Sequence, residues 1–100
     1  MHVLVVDSNP GVLVVAKKVL ARAGVEVITA GTVEEGIARA NRHAPDLLLL
    51  DGAMATSGVI LEFAWATARR MPILLMIPKG HEDDLRQALR MGRWEALADV

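Results

Sequence analysis

In this chain of 100 residues two aspartates stand directly after apolar runs, Asp7 after VLVV and Asp51 after LLLL, and a third, Asp99, follows the mostly apolar stretch 94–98. Two carboxylates brought to one crevice repel, and each needs a cation or a hydrogen-bond donor to stay ionised. Oxygen ligands of this kind suit Mg²⁺, which keeps several waters and takes one or two protein carboxylates. An aspartate beside such a cation is also a nucleophile toward phosphorus. Taken singly, an aspartate after a strand is as often a turn or cap residue. Two at neighbouring strand ends shift the balance toward chemistry.

The other reactive residue types are sparse. His2, His43 and His81 do not form a metal-binding spacing such as HExxH. The glycines form neither GxGxxG nor a phosphate-cradling loop, and Gly52, Gly58 and Gly80 read as turn or helix-entry residues. Without cysteine there is no disulfide, thiolate nucleophile or cysteine-based metal site. Lys79 is the nearest cation in sequence to the carboxyl ends of the strands and reads as a solvated loop lysine. Eleven Lys and Arg against twelve Asp and Glu leave a net charge of -1. That balance gives no electrostatic reason for nucleic acid or an anionic membrane as the main partner.

Those aspartates must be positioned by short apolar strands alternating with helices. Residues 2–6 form the first strand. Asn9 caps a helix with Pro10 at its first position, where the missing N–H costs nothing. The apolar stripe Val12, Val15, Ala16, Val19, Leu20 and Ala23 predicts a helix over 10–23, ended by Gly24. Residues 25–30 are the second strand. Thr32 with Glu35 is a capping box for a helix reaching about Arg42. Residues 46–50 show no polar alternation, which predicts a central parallel strand buried on both faces. Thr56 or Ser57 caps a third helix through Arg70, with Ile60, Phe63 and Ala64 facing inward. Residues 72–77 form a fourth strand. A fourth helix with Glu82, Asp83 and Asp84 in its first turn follows, then a fifth strand over 94–98.

This order predicts an α/β, flavodoxin-like, doubly wound sandwich with a five-stranded parallel sheet in the order 2-1-3-4-5. In that order the first and third strands are neighbours, and Asp7 and Asp51 face one crevice at the functional edge. One domain is expected over 1–100, with its C-terminal helix absent or truncated. The sheet face beside the fifth strand then lacks cover, so Trp94 reads as a core filler for the missing helix or as an anchor in a partner interface, including a homodimer through that side. No signal peptide or spanning segment stands out, which predicts a cytoplasmic domain with no membrane contact.

The set VLVVDSNP (3–10), PDLLLLDG (45–52), SG (57–58), PILLMI with PKG (72–80) and MGRWEALAD (91–99) resembles the receiver domain of two-component response regulators over nearly the whole chain. The resemblance implies that Asp51 is the phosphoacceptor, loaded by a histidine kinase. It also implies that Asp7, Asp51 and the backbone carbonyl of Ala53 hold Mg²⁺. Several family positions depart. The second acid of the pair after the first strand is Ser8, a neutral oxygen and a weaker ligand for a hard cation. The hydroxyl residue at the end of the fourth strand falls on Ile77, the aromatic switch on Ala96 and the lysine after the fifth strand on Asp99. Removing one such donor costs about 10²–10³ in rate. The expectation is a degenerate receiver, a phosphorelay signalling module with weak or no phosphoacceptor activity and no enzymatic role. It would act through contacts with a histidine kinase, another signalling protein or a fused output domain. The alternative is an active receiver phosphorylated on Asp51 with Mg²⁺, in which Lys79 replaces the missing lysine. A hydrolase using Asp7 and Asp51 ranks last, since no acid, base or substrate pocket accompanies them.

Overall fold

Asn9 starts the first helix as its side chain predicts: its Oδ1 accepts from the Gly11 N–H at 2.9 Å, and Pro10 sits at the first helical position. A computed structural model of the chain describes residues 1–66 and 71–77. Within it, β1 (His2–Val6), β2 (Glu26–Ala30), β3 (Leu47–Asp51) and β4 (Ile73–Met76) alternate with α1 (Pro10–Arg22), α2 (Val33–His43) and α3 (Ser57–Ala66). A single turn of 3₁₀ helix, Gly52–Met54, follows β3. Gly24 closes α1 with φ of 78°, a conformation glycine adopts without steric cost. Thr56, rather than Ser57, caps α3 by accepting from the Val59 N–H at 3.2 Å.

The four strands are parallel and lie in the order β2-β1-β3-β4. The expected neighbourhood of β1 and β3 is therefore present. The fifth strand, the fourth helix and residues Lys79, Trp94, Ala96 and Asp99 lie outside the described residues.

One sheet face carries the principal core. Leu4 and Val6 of β1, Leu48 and Leu50 of β3 and Leu75 of β4 are buried with Ile60 and Phe63 of α3 and Ala40 of α2. Gly36 makes the close approach of α2 possible. A Cβ there would lie 2.8 Å from Cγ2 of Val6 and 3.0 Å from Cζ of Phe63.

The other face departs from expectation. Val3 and Val5 are buried, yet the alternate residues Leu47, Leu49, Leu74 and Met76 are only half-buried. So β3 is not fully buried on both sides. Within the α1 stripe Val15 is 60% exposed, Val19 57% exposed, and Ala23 is exposed as well. A groove of about 610 Å³ runs between that row and Met76. The apolar period of α1 identifies a face; it does not supply the element that would cover it. Ala64, expected inward, is exposed, because α3 turns Ile60 and Phe63 to the sheet and leaves the adjacent arc to solvent.

The capping box of α2 forms with one change. Thr32 Oγ1 accepts from the Glu35 N–H at 3.1 Å, while the Glu35 carboxylate reaches back to the Gly31 N–H at 3.4 Å instead of to Thr32. Arg39, one turn on, donates to the same carboxylate at 2.8 Å. The Arg39 hydrogen bond, with the Gly31 N–H second, holds the Glu35 carboxyl below the usual glutamate range. A carboxyl lowered on folding adds stability above its unfolded pKa and loses it as the pH falls through the folded value. Glu35→Gln is thus expected to be slightly less stable than the parent at neutral pH, with the gap closing in acid. Urea midpoints of both proteins across that range check this, and a gap that does not depend on pH would refute it.

Candidate functional site

The carboxyl edge of the sheet is built by register. Val6 of β1 is the Cα partner of Leu50 of β3, so Asp7 and Asp51 follow one step beyond on strands spaced about 4.8 Å apart. The two residues therefore stand at the same edge of the sheet, on neighbouring strands.

Asp7 is 7% exposed and is the buried charged residue among the described residues. Its backbone N–H donates to the Ala30 carbonyl at 3.1 Å, which ties the end of β1 to β2. Its Oδ1 accepts from the Asn9 N–H at 2.8 Å. Asn9 in turn accepts from Gly11, so the start of α1 and the Asp7 carboxylate are held by one short relay. No described residue bonds the second Asp7 oxygen. A buried carboxylate oxygen needs a donor or a cation, and a cation or protic ligand at that oxygen would meet the need. Ser8, the neighbouring position, is exposed.

Asp51 is the last residue of β3 and is partly exposed. Its Oδ1 folds back to accept from the Ala53 N–H at 3.1 Å, capping the 3₁₀ turn. This bond fixes both Asp51 and the peptide of Ala53 at the same edge. Met76 is the Cα partner of Asp51, so Ile77 follows β4 beside the turn. Ile77 is 8% exposed and joins the core cluster. A Cβ on Gly52 would lie 2.6 Å from Cγ2 of Ile77 and 3.0 Å from the Met76 carbonyl oxygen. The turn after Asp51 therefore rests directly on the end of β4. Sequence reasoning identified Gly52 as a turn residue and Ile77 as a lost hydroxyl, but not that they touch. A glycine immediately after the acid was the available signal.

Among the described residues, no group of three or more His, Cys, Asp or Glu is arranged to hold a metal ion. The donors present are the two carboxylates and the backbone at Ala53. His2 lies at the opposite edge of the sheet, where its Nε2 is 3.1 Å from Glu26 and its N–H donates to Asp46 at 2.8 Å. It belongs to the surface and lies away from the aspartate edge. No helix among the described residues is long and apolar enough to cross a membrane.

Residues 3–98 match the response regulator receiver domain. The chain belongs to that family. It is 30% identical over 92 residues to the alkaline phosphatase synthesis transcriptional regulatory protein PhoP of Bacillus subtilis (strain 168). That match takes in 90% of this chain and 38% of PhoP, so the chain spans well under half the length of that relative. Among solved structures, a response regulator receiver domain protein from Clostridium thermocellum superposes with a TM-score of 0.76 at 25% identity, covering 96% of this chain and 79% of that one. NtrX from Brucella abortus superposes with a TM-score of 0.78 at 23% identity, covering 96% of this chain and 22% of that one. The receiver frame expected from the sequence is thereby established, with the strand order of the described sheet in agreement.

Proposed function

We propose that this receiver domain is a phosphorelay signalling module that acts mainly through protein contacts, with weak or no phosphoacceptor activity at Asp51. Its partners are a histidine kinase or another signalling protein, together with a fused output domain or a second copy. It works in the cytoplasm and is not itself an enzyme. The observation that carries the reading is Ile77. A buried alkyl side chain lies against Gly52, beside the acceptor, where the family resemblance calls for a hydroxyl. An arriving phosphoryl group carries negative charge into an edge that already holds two carboxylates, and catalysis there depends on donors aimed at that charge. Ile77 supplies none. Asp99, at the lysine position, adds a third negative charge in sequence.

The donor chemistry at the edge fits Mg²⁺ weakly. Asp7 and Asp51, with the Ala53 carbonyl, would hold it, and Ser8 gives no third carboxylate. When bound, the cation neutralises charge on the acceptor and on an incoming phosphate. The oxygen of buried Asp7 that no described residue bonds favours the second reading, an active receiver phosphorylated on Asp51 with Mg²⁺.

Acetyl phosphate with Mg²⁺, followed by intact mass, separates the two. The reaction would form a bond between an Asp51 carboxylate oxygen and phosphorus and release acetate. The expected result is no stable phosphoryl increment on the parent protein. An increment that persists and disappears in Asp51→Asn would overturn the proposal.

A further inference from the structure

We infer that Ile77 is a positioning residue that latches the turn after Asp51, holding the acceptor carboxylate in its folded-back orientation whether or not a ligand is present. The inference rests on the reading of this edge as the module's functional site and names how that site is kept from changing state.

The closest approach is made by one atom. Cγ2 of Ile77 occupies the space a side chain at Gly52 would need, at 2.6 Å from the Cβ position. The Met76 carbonyl closes the same space from the backbone side at 3.0 Å. Gly52 opens the 3₁₀ turn, and its carbonyl accepts from the Ala55 N–H at 3.2 Å. The next residue, Ala53, donates to Asp51 Oδ1. The chain of contacts runs from a buried β4 side chain, through a glycine without room to shift toward it, to the hydrogen bond that orients the acceptor. Ile77 belongs to the core cluster with Leu50 and Leu75, so its own place is set by packing and not by the site. A close-packed contact of this kind transmits position rather than yielding gradually.

Two conservative substitutions isolate the contact. Ile77→Val keeps both γ carbons and loses only the terminal methyl. Ile77→Leu keeps the volume but, unbranched at Cβ, cannot fill both γ positions. Water exchange of the Ala53 amide, measured by NMR against the Leu4 amide in β1, reads the turn separately from global stability. In Ile77→Leu, Ala53 exchange is expected to rise about tenfold relative to Leu4, as local opening would produce. In Ile77→Val the ratio is expected to stay as in the parent. Equal acceleration of both amides in the leucine variant, or an equal effect of valine and leucine on Ala53, would overturn the latch. Should the leucine variant fail to fold, Gly52→Ala tests the same contact from the other side, and an unchanged ratio there also overturns it. The exchange measurement involves no phosphoryl donor, so the latch and the proposed weak phosphorylation can fail independently.

Discussion

Phe63→Ala is expected to destabilise the domain by about 3–5 kcal/mol, the range for truncating a buried aromatic ring. Phe63 has no exposed surface and lies in the cluster formed by Leu4, Val6, Leu48, Leu50 and Leu75. Its ring also fills the space beside Gly36, where it joins α2 to α3. The cavity left by alanine could not be filled from Gly36, which has no side chain, and the strand residues below are held by their pairing. Small domains have about 5–15 kcal/mol in total, so the variant would stand near the edge of folding. Trp65, on the same helix, is 79% exposed, and Trp65→Ala is expected to stay within about 0.5 kcal/mol of the parent. Urea unfolding of both variants checks the pair. Equal losses would show that α3 does not dock through Phe63.

The second large effect is on chemistry. Ile77→Thr is expected to raise the rate of phosphoryl labelling of Asp51 by acetyl phosphate and Mg²⁺ by about 10²-fold, the worth of one well-placed donor. Threonine keeps the Cγ2 methyl against Gly52 and places a hydroxyl where Ile77 has Cγ1, so the turn is left in place while the edge gains a donor. Adding Asp99→Lys replaces a repelling charge by an attracting one and should raise the rate further. Time courses of the mass increment, with Asp51→Asn as control, provide the measurement. If neither substitution increases labelling, the missing groups are not what limits the site. The fixed orientation of Asp51 on the Ala53 N–H would then be the better explanation.

Local signals in the sequence are legible where one short segment decides the outcome. Asn9 with Pro10, Gly24 and Thr32 each act within a few residues of themselves and behave as their chemistry predicts, while Glu35 reaches one residue further back, to Gly31. The pairing of β1 with β3 was legible too, because alternating strands and helices leave few topologies, and that order alone brings Asp7 beside Asp51. Errors began where a second element decides. The apolar rows of α1 and β3 predict burial, but Val15, Val19, Leu47 and Leu49 are covered only as far as neighbouring elements reach. Ala64 is exposed against expectation because a helix as apolar as α3 has no clear polar side to orient it. At the site, the identity of Ile77 showed what chemistry was missing. Its contact with Gly52 joins residues far apart in the chain and has no signature in either segment alone.

Gly36 has a consequence for how this sequence can drift. Glycine inside a helix is about 1 kcal/mol less favourable than alanine, so substitution there would ordinarily be an easy gain. Here the added methyl would collide with Val6 and Phe63 together. Positions 6, 36 and 63 share one fixed volume, and an enlargement at any of them must be matched by a reduction at another. The three are expected to change together, although they lie on a strand and two different helices.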